Sequence, residues 1–330
     1  MPGFKFRLKL LMFVVATVLA AAGQRTPAGA ADAFPSRPVR VVVPFGAGGI
    51  ADITTRLITD RLGDSLGQRF VIDNQPGPGG IAAARSLLSA PADGYTLILF
   101  TNGTATAVPL FRHLGYDPVR DFEAVAGFAE FDLTLTTGTA TPYATLGDFL
   151  KDARANPGRL NIGTISVGST QNLGAQLLRS MAGIDAAIVP YRATPDLMVA
   201  LLRNDVQLGV EYYATTKSGI DGGDLRLLAT AGERRSPLTP QTPTSGEAGV
   251  PGYTLTSWNA LFAKAGTPMD VIVRLNRAVQ EAVASPDLQR RMSELGIEPR
   301  SGPPGEIAAR LRSDVVKWTA VIESAHIPRL

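Results

Sequence analysis

The stretch Val39–Asp52, with the sequence VRVVVPFGAGGIAD, decides how this chain folds. Its first part is a run rich in β-branched residues, which is typical of a buried parallel strand. A glycine-rich turn follows, and apolar residues then recur at helical spacing as far as Leu66. A buried strand that enters a helix through such a turn predicts an open α/β sheet with its ligand site at the carboxyl ends of the strands.

A second turn of the same kind occurs further along the chain, at Gly163–Asn172, with the sequence GTISVGSTQN. It joins a predicted strand over Leu160–Ile165 to a predicted helix over Thr170–Met181. The backbone amides of the first turn of a helix have no partner within the helix, so they can bind an anion. Two such turns, one in each of two α/β units, predict an anion-binding site with two walls across a cleft.

The remaining segments alternate between predicted strands and helices. A βαβαβ series ends at Phe100, residues 125–137 are expected to form a long strand that could cross between units, and a second series begins at Leu160. A strand over Tyr253–Ala263 and three helices then return to the first unit. We therefore predict one discontinuous domain, 32–137 plus 254–330, and one inserted domain, 138–253, whose two connections permit hinge closure.

The N-terminus has the three-part pattern of a secretory signal. Three cations lie within Met1–Lys9, Leu10–Ala22 is apolar, and Ala28-Gly29-Ala30 fits a cleavage site. We predict a cleaved Sec-type signal over 1–31 and a location in a bacterial periplasm; cleavage after Ala22 and an uncleaved anchor are the alternatives. The apolar run is shorter than the roughly 20 residues that a membrane-spanning helix needs.

Composition excludes several classes of function. The chain has a net charge of +3, but residues 1–31 hold four of its 32 Lys and Arg side chains and no acidic residue, which leaves 28 cations against 29 acids. This near-neutral body gives no electrostatic reason to expect nucleic acid. There is no Cys and only two His, His113 and His326. We therefore expect no cofactor, no metal site and no enzymatic activity.

Two enzyme functions are alternatives to ligand binding. Gly46, Gly48 and Ala51 fit the G-x-G-x-x-A pattern of a dinucleotide site, with Asp73 where a ribose-binding acid would lie. The export signal, the second turn and the absence of a plausible catalytic His argue against an oxidoreductase. The sequence around Ser166 is one residue away from the nucleophile elbow of a serine hydrolase.

Short motifs along nearly the whole mature chain carry a family resemblance. They are Phe34–Phe45 with Gly48, Gly49 and Asp52, Asn74–Gly77 with Gly79 and Gly80, Pro91–Leu97, Tyr116–Pro118, Asp121 and Phe122, Gly163–Ser169, Val189–Tyr191, Glu247–Gly249, Trp258, Gly266–Pro268, and Lys317 with Trp318. In this order they resemble the Bug receptors, the periplasmic solute-binding proteins of tripartite tricarboxylate transporters.

The resemblance implies a two-domain flytrap of the periplasmic binding protein type, with an open, mostly parallel sheet in each domain. It also implies a monomer that holds a small mono-, di- or tricarboxylate through backbone amides, hydroxyls and ordered waters and passes it to membrane permease subunits. A sensor that feeds a signalling system is the alternative. Carried onto this chain, one wall of the site is Phe45, Gly46, Ala47, Gly48, Gly49 and Asp52, and the other is Thr164, Ser166, Gly168 and Ser169. For Asp52, a structural role at the start of the helix is as plausible as a ligand contact.

The chain departs from the family pattern at positions that bear on specificity. Gly46 and Ala47 stand where the family usually has two prolines, Asn172 where a His is common, and Gln207 where an Asp is common. Further residues are expected to tune the pocket: Thr101, Asn102, Arg192, Glu211 and Tyr213. These departures leave the identity of the carboxylate open.

Overall fold

The computed structural model describes residues 34–324 and 327–330, and the part from Arg37 onward forms one compact unit. The predicted signal segment and His326 lie outside the described residues. The strands are β1 (Val39–Val43), β2 (Phe70–Asn74), β3 (Thr96–Thr101), β4 (Phe122–Gly138), β5 (Asn161–Ile165), β6 (Ala187–Tyr191), β7 (Leu208–Tyr212), β8 (Leu225–Thr230), β9 (Thr256–Lys264) and β10 (Glu298–Pro299). The helices are α1 (Ile50–Leu66), α2 (Ile81–Leu88), α3 (Asn102–Leu110), α4 (Leu146–Ala155), α5 (Thr170–Ala182), α6 (Thr194–Leu202), α7 (Tyr213–Asp221), α8 (Met269–Ala284), α9 (Pro286–Glu294) and α10 (Pro304–Ser324).

The sheet has parallel strands at both ends and antiparallel strands in between. Its order is β2-β1-β3-β9-β4-β7-β5-β6, with β8 and β10 also paired to β4. β1 runs parallel to β2 and β3, and β5 runs parallel to β6 and β7. β9 pairs antiparallel with β3 and β4, and β4 pairs antiparallel with β7. The predicted α/β class is confirmed, with central strands that are more mixed in direction than expected.

The long strand β4 belongs to two groups of strands. Its residues from Phe122 to Asp132 pair with β9, and its residues from Leu133 to Gly138 pair with β7 and β8. We call the part built on β1–β3 and β9 the first half, and the part built on β5–β8 the second half. The predicted domain boundaries near residues 138 and 253 stay predictions.

The C-terminal helix α10 closes the first half through two tryptophans. Trp258 on β9 is buried and its indole Nε1 donates to Asp314 Oδ2 at 2.7 Å, while Trp318 on α10 donates to Asn102 Oδ1 at 2.6 Å. The buried face of α10 is formed by Ile307, Leu311, Asp314, Trp318 and Ile322. Val315, which the sequence placed on this face, is only half-buried because Asp314 and Trp318 lie closer to the sheet.

Two helices and the short strand β10 were not predicted. α3 starts with a capping box in which the Thr101 hydroxyl accepts from the Gly103 amide at 2.9 Å and the Thr101 amide donates to the Thr104 hydroxyl at 3.2 Å. The Thr-x-x-Thr spacing is the signal that could have revealed α3. α7 begins directly after β7 and has no side-chain cap among the described residues. In the same part of the chain, no helix is both long and apolar enough to cross a membrane.

Candidate functional site

The first glycine-rich turn is held in shape by Asp52. Gly48 has a positive φ of 82°, a conformation that favours glycine, and its amide donates to Asp52 Oδ2 at 3.0 Å. The same carboxylate accepts from Arg56 Nη2 at 2.8 Å and from Asn74 Nδ2 at 3.1 Å. Burial raises the pKa of Asp52, but the bonds from Arg56, Gly48 and Asn74 outweigh burial and leave its pKa below the usual value. This arrangement gives Asp52 a structural role in the turn.

A residue of the second turn caps the helix that follows it. The Ser169 hydroxyl caps α5 by accepting from the Asn172 amide at 3.1 Å. The Asn172 side chain donates to the buried Thr164 hydroxyl at 3.2 Å. Two of the hydroxyls that the sequence assigned to the second wall, those of Thr164 and Ser169, are therefore engaged with Asn172.

The two halves are closed on each other around these turns. The Gly79 amide donates to the Val167 carbonyl at 3.2 Å, and the Thr106 hydroxyl donates to the Gly168 carbonyl at 3.2 Å. Gly46 lies so close to the N-terminus of α6 that a Cβ on it would be 2.5 Å from Ala193 Cβ. Any side chain at Gly46 would therefore have to push the halves apart.

A cavity lies where the halves meet, and we call it the central cavity. Its lining is Phe45, Gly46, Gly49, Ile50, Ala51, Thr101, Phe131, Ile165, Thr170, Gln171, Ala193, Thr194, Tyr212, Ser257 and Asn259. Its free volume is about 20 Å³. One water molecule needs about 10–15 Å³ on this scale, so the closed cavity has room for water but not for a dicarboxylate.

A second small cavity, the loop cavity, lies beside the two turns. It is lined by Pro44, Phe45, Gly77, Gly79, Gly80, Gly103, Thr104, Ser166, Val167, Gly168 and Ser169. Its free volume is also about 20 Å³. Phe45 lines both cavities, and the second turn contributes Ile165, Thr170 and Gln171 to the central cavity.

Two uncapped helix starts face the central cavity from opposite halves. α1 begins after Gly49 and α6 begins after Ala193, and within the described residues neither start has a side-chain cap. Uncapped first-turn amides carry partial positive charge and are ready donors to an anion. In the second half Ser169 caps α5, whereas the start of α6, whose residues Ala193 and Thr194 line the central cavity, has no side-chain cap.

Glu211 is a fully buried carboxyl group directly behind the cavity wall. It accepts from the Thr194 hydroxyl at 2.7 Å, from the Tyr212 amide at 2.8 Å and from the Thr215 hydroxyl at 3.2 Å. Desolvation raises the pKa of Glu211, and these hydrogen bonds only partly oppose the rise. Glu211 therefore positions Thr194 and Tyr212, both of which line the central cavity.

Replacing Glu211 with Gln should flatten the pH dependence of stability. Because the folded-state pKa of Glu211 is raised, the free energy of unfolding falls as pH rises from the ordinary Glu range through the raised pKa. The fall is at most about 1.4 kcal/mol per pH unit within that window. Urea unfolding of both proteins between about pH 5 and about pH 8 measures the difference.

The matched control for this experiment is Glu294→Gln, which removes one negative charge at a position where the side chain is 66% exposed. It should keep the pH profile of the unchanged protein. If the free energy of unfolding of Glu211→Gln fell with rising pH as steeply as that of the control, titration of Glu211 would not cause the pH dependence of stability.

The structure brings some predicted site residues together and leaves others apart. Phe45, Gly46, Gly49 and Thr101 line the central cavity, and Ser166, Gly168 and Ser169 line the loop cavity. The predicted residues that line neither cavity are Ala47, Gly48, Asp52, Asn102, Thr164, Asn172, Arg192, Glu211 and Tyr213. Arg192 is exposed, and Tyr213 lies against Gly296 at the edge of the second half.

Several polar residues of the central cavity were missed by sequence reasoning. They are Thr170, Gln171, Thr194, Tyr212, Ser257 and Asn259. Asn259 reaches the site because β9 pairs with β3, which places it opposite Thr101. The helix start at Thr194 had a local signal, since Pro195 is at a position that proline favours in the first turn of a helix. Over the described residues there is no group of His, Asp or Glu that could hold a metal ion.

The chain is similar to a known protein family and to several solved structures. Residues 54–327 match the model of the tripartite tricarboxylate transporter family receptor. Rpa4515 of R. palustris, solved with adipate, is 34% identical with a TM-score of 0.87, over 90% of this chain and 100% of that one. The periplasmic binding protein BugD is 28% identical, with a TM-score of 0.86 over 90% and 100% of the two chains. MatC of Rhodopseudomonas palustris, with bound malate, is 32% identical, with a TM-score of 0.84 over 88% and 100%. These likenesses confirm the predicted periplasmic-binding-protein fold.

Proposed function

Because this chain belongs to the tripartite tricarboxylate transporter receptor family, the Bug receptors, we propose that it captures a small organic carboxylate between its two halves and delivers it to a transporter in the membrane. The family consists of periplasmic solute-binding receptors and not of enzymes, so the oxidoreductase alternative is rejected. In keeping with this, Asp73 accepts from Arg40 Nε at 2.9 Å and from Gln75 Nε2 at 2.9 Å.

The observation that carries the proposal is the pair of uncapped helix starts, α1 and α6, on opposite walls of one cavity. Among the described residues, the side chains that line this cavity include no Lys, Arg or His. Backbone amides and hydroxyls must therefore balance the charge of a carboxylate. Such a site suits small anions without needing a buried cation.

The energies are sufficient for useful affinity. Micromolar binding needs roughly −8 kcal/mol. A hydrogen bond to a charged group contributes roughly 1.5–3 kcal/mol, and a helix N-terminus about 0.3–1 kcal/mol. Four or five such contacts sum to roughly 6–15 kcal/mol, a range that includes the required free energy.

The carboxylate class is also supported by the relatives. Rpa4515 was solved with adipate and MatC with malate, and both share about a third of their sequence with this chain. Adipate and malate differ in length and in hydroxyl content, so they support the class of ligand without fixing its identity. Gly46, Ala47 and Asn172 differ from the usual residues of the family, and the ligand specificity of this chain could depend on them.

The small size of the closed cavity supports capture by hinge motion. A free volume of about 20 Å³ cannot admit a dicarboxylate, so the ligand enters while the halves are apart. We place the moving units at 32–137 plus 254–330 and at 138–253, with β4 passing from one to the other. Export to the periplasm through the 1–31 signal and handover by a monomer to permease subunits complete the proposal.

A thermal-shift screen of organic acids tests the proposed function. At about a hundredfold excess over Kd, a ligand adds about 2.7 kcal/mol and should raise the melting temperature of the purified chain by about 4 °C. The matched probes are the neutral amides of the same acids, which should give no shift. No stabilisation by any mono-, di- or tricarboxylate, checked by calorimetry, would overturn the proposal, and so would equal stabilisation by the amides.

A further inference from the structure

Asn259 on β9 has a buried side chain with one unused polar atom. The residue is 0% exposed and lines the central cavity. Its Nδ2 donates to the Thr54 hydroxyl at 2.6 Å. Within the described residues, its Oδ1 has no hydrogen-bond partner. A buried acceptor without a partner is costly, so a ligand group that satisfies it gains affinity.

The orientation of this amide follows from its neighbour. Thr54 Oγ1 lies 2.8 Å from the Ile50 carbonyl, to which it must donate. With its proton used there, the Thr54 oxygen can only accept from Asn259, so the nitrogen of the amide faces Thr54. The remaining atom is therefore an oxygen, which can accept a hydrogen bond but cannot donate one.

The side chain of Asn259 is on the same side of the sheet as the start of α1. Neighbouring residues of a strand point to opposite faces, and Trp258 bonds to Asp314 on α10. Asn259 points the other way, toward Thr54 on α1, one helical turn of about 5.4 Å beyond Ile50. Asn259 and the first residues of α1, Ile50 and Ala51, therefore line the same cavity.

We propose that this receptor selects carboxylates that carry a hydroxyl group on a carbon close to the carboxylate, with Asn259 Oδ1 accepting from that hydroxyl. The proposal rests on the proposed function, since the carboxylate itself must bind at the helix starts. A ligand ammonium would need a free negative partner. Two buried carboxylates lie next to wall residues, and both are engaged. Glu211 accepts from Thr194, Tyr212 and Thr215. Asp52 accepts from Gly48, Arg56 and Asn74. A neutral hydroxyl fits the single acceptor better.

The experiment is calorimetry of the full purified chain with pairs of acids that differ by one hydroxyl. The pairs are lactate and propionate, 3-hydroxybutyrate and butyrate, malate and succinate, and citrate and tricarballylate. In the pair that fits the cavity, the hydroxy acid should bind about tenfold or more tighter than its deoxy partner. The matching amino acid, alanine or aspartate, should bind no better than the deoxy acid.

Two variants assign the preference to Asn259. Asn259→Ala should bring the hydroxy-to-deoxy ratio close to one, because the acceptor for the hydroxyl is gone. Thr54→Val keeps the shape of Thr54 but removes the acceptor that orients the amide, so it should also lower the ratio. Asn276→Ala is the matched control, because Asn276 is a buried asparagine whose Nδ2 donates to the Val125 and Gly302 carbonyls, and it should keep the ratio.

The outcomes separate this inference from the proposed function. Equal affinity for both members of every pair would overturn the hydroxyl preference and leave carboxylate binding intact. A preference that survives in both Asn259→Ala and Thr54→Val would also overturn the role of Asn259. If the amino acid bound more tightly than the hydroxy acid, the ligand group that donates to Asn259 Oδ1 would be an ammonium and the proposal would be overturned. Binding of no acid at all would instead refute the proposed function.

Discussion

Replacing Gly46 with Leu is expected to weaken carboxylate binding by about a hundredfold or more. An ideal Cβ at this position would lie 2.5 Å from Ala193 Cβ and 3.3 Å from the Arg192 carbonyl, so the halves could not close. The ligand would then lose the amides of α6 and keep those of α1. Two lost bonds of roughly 1.5–3 kcal/mol each correspond to at least a hundredfold in affinity. Titration calorimetry with the best acid from the screen measures the loss.

The matched control is Gly305→Leu, the same substitution in the first turn of α10, where a Cβ would have nothing within 4 Å. This variant should bind as the unchanged protein does. Both variants should melt at nearly the same temperature without ligand, because Gly46 lies between the halves and not inside either core. Normal affinity in Gly46→Leu would show that the closed contact between Gly46 and Ala193 is not part of the bound state.

Local signals were enough to predict most of the elements that position the site. The β-branched run predicted β1, which is observed at Val39–Val43. Gly67, with a φ of 68°, ends α1 where the sequence placed the end, because glycine readily adopts the left-handed conformation of a helix cap. These features depend on a few consecutive residues, so the sequence alone could reveal them.

The site itself depends on which strands pair in the sheet, and a single sequence does not show this. Asn259 enters the central cavity only because β9 lies between β3 and β4. The sequence assigned the second wall to the turn near Ser169, and that assignment stays a prediction. In the structure the Ser169 hydroxyl caps its own helix, while the start of α6 at the cavity has no side-chain cap, a difference that the sequence did not show. Whether a Ser caps its helix or binds a ligand depends on its rotamer, which the sequence does not fix.

The largest effect on stability is expected from Trp258→Ala. Trp258 is 1% exposed in the core between β9 and α10, and its indole donates to Asp314 Oδ2 at 2.7 Å. Removing the ring leaves a large cavity and one fewer donor to a buried carboxylate, so the free energy of unfolding should fall by about 3–5 kcal/mol. Urea unfolding followed by circular dichroism measures the fall, and the remaining tryptophan, Trp318, reports separately on α10 by fluorescence.

Two comparison variants distinguish an effect on core stability from an effect on ligand binding. Val316→Ala, at a position 71% exposed on α10, should change the free energy of unfolding by less than about 0.5 kcal/mol. Trp258→Phe keeps most of the ring volume and should lose less than Trp258→Ala. Because Trp258 and Asn259 point to opposite faces of β9, Trp258→Phe should still bind the acid with unchanged affinity. A loss of affinity without a loss of stability would mean that β9 transmits changes from the α10 side to the cavity, and the two faces could not then be treated as independent.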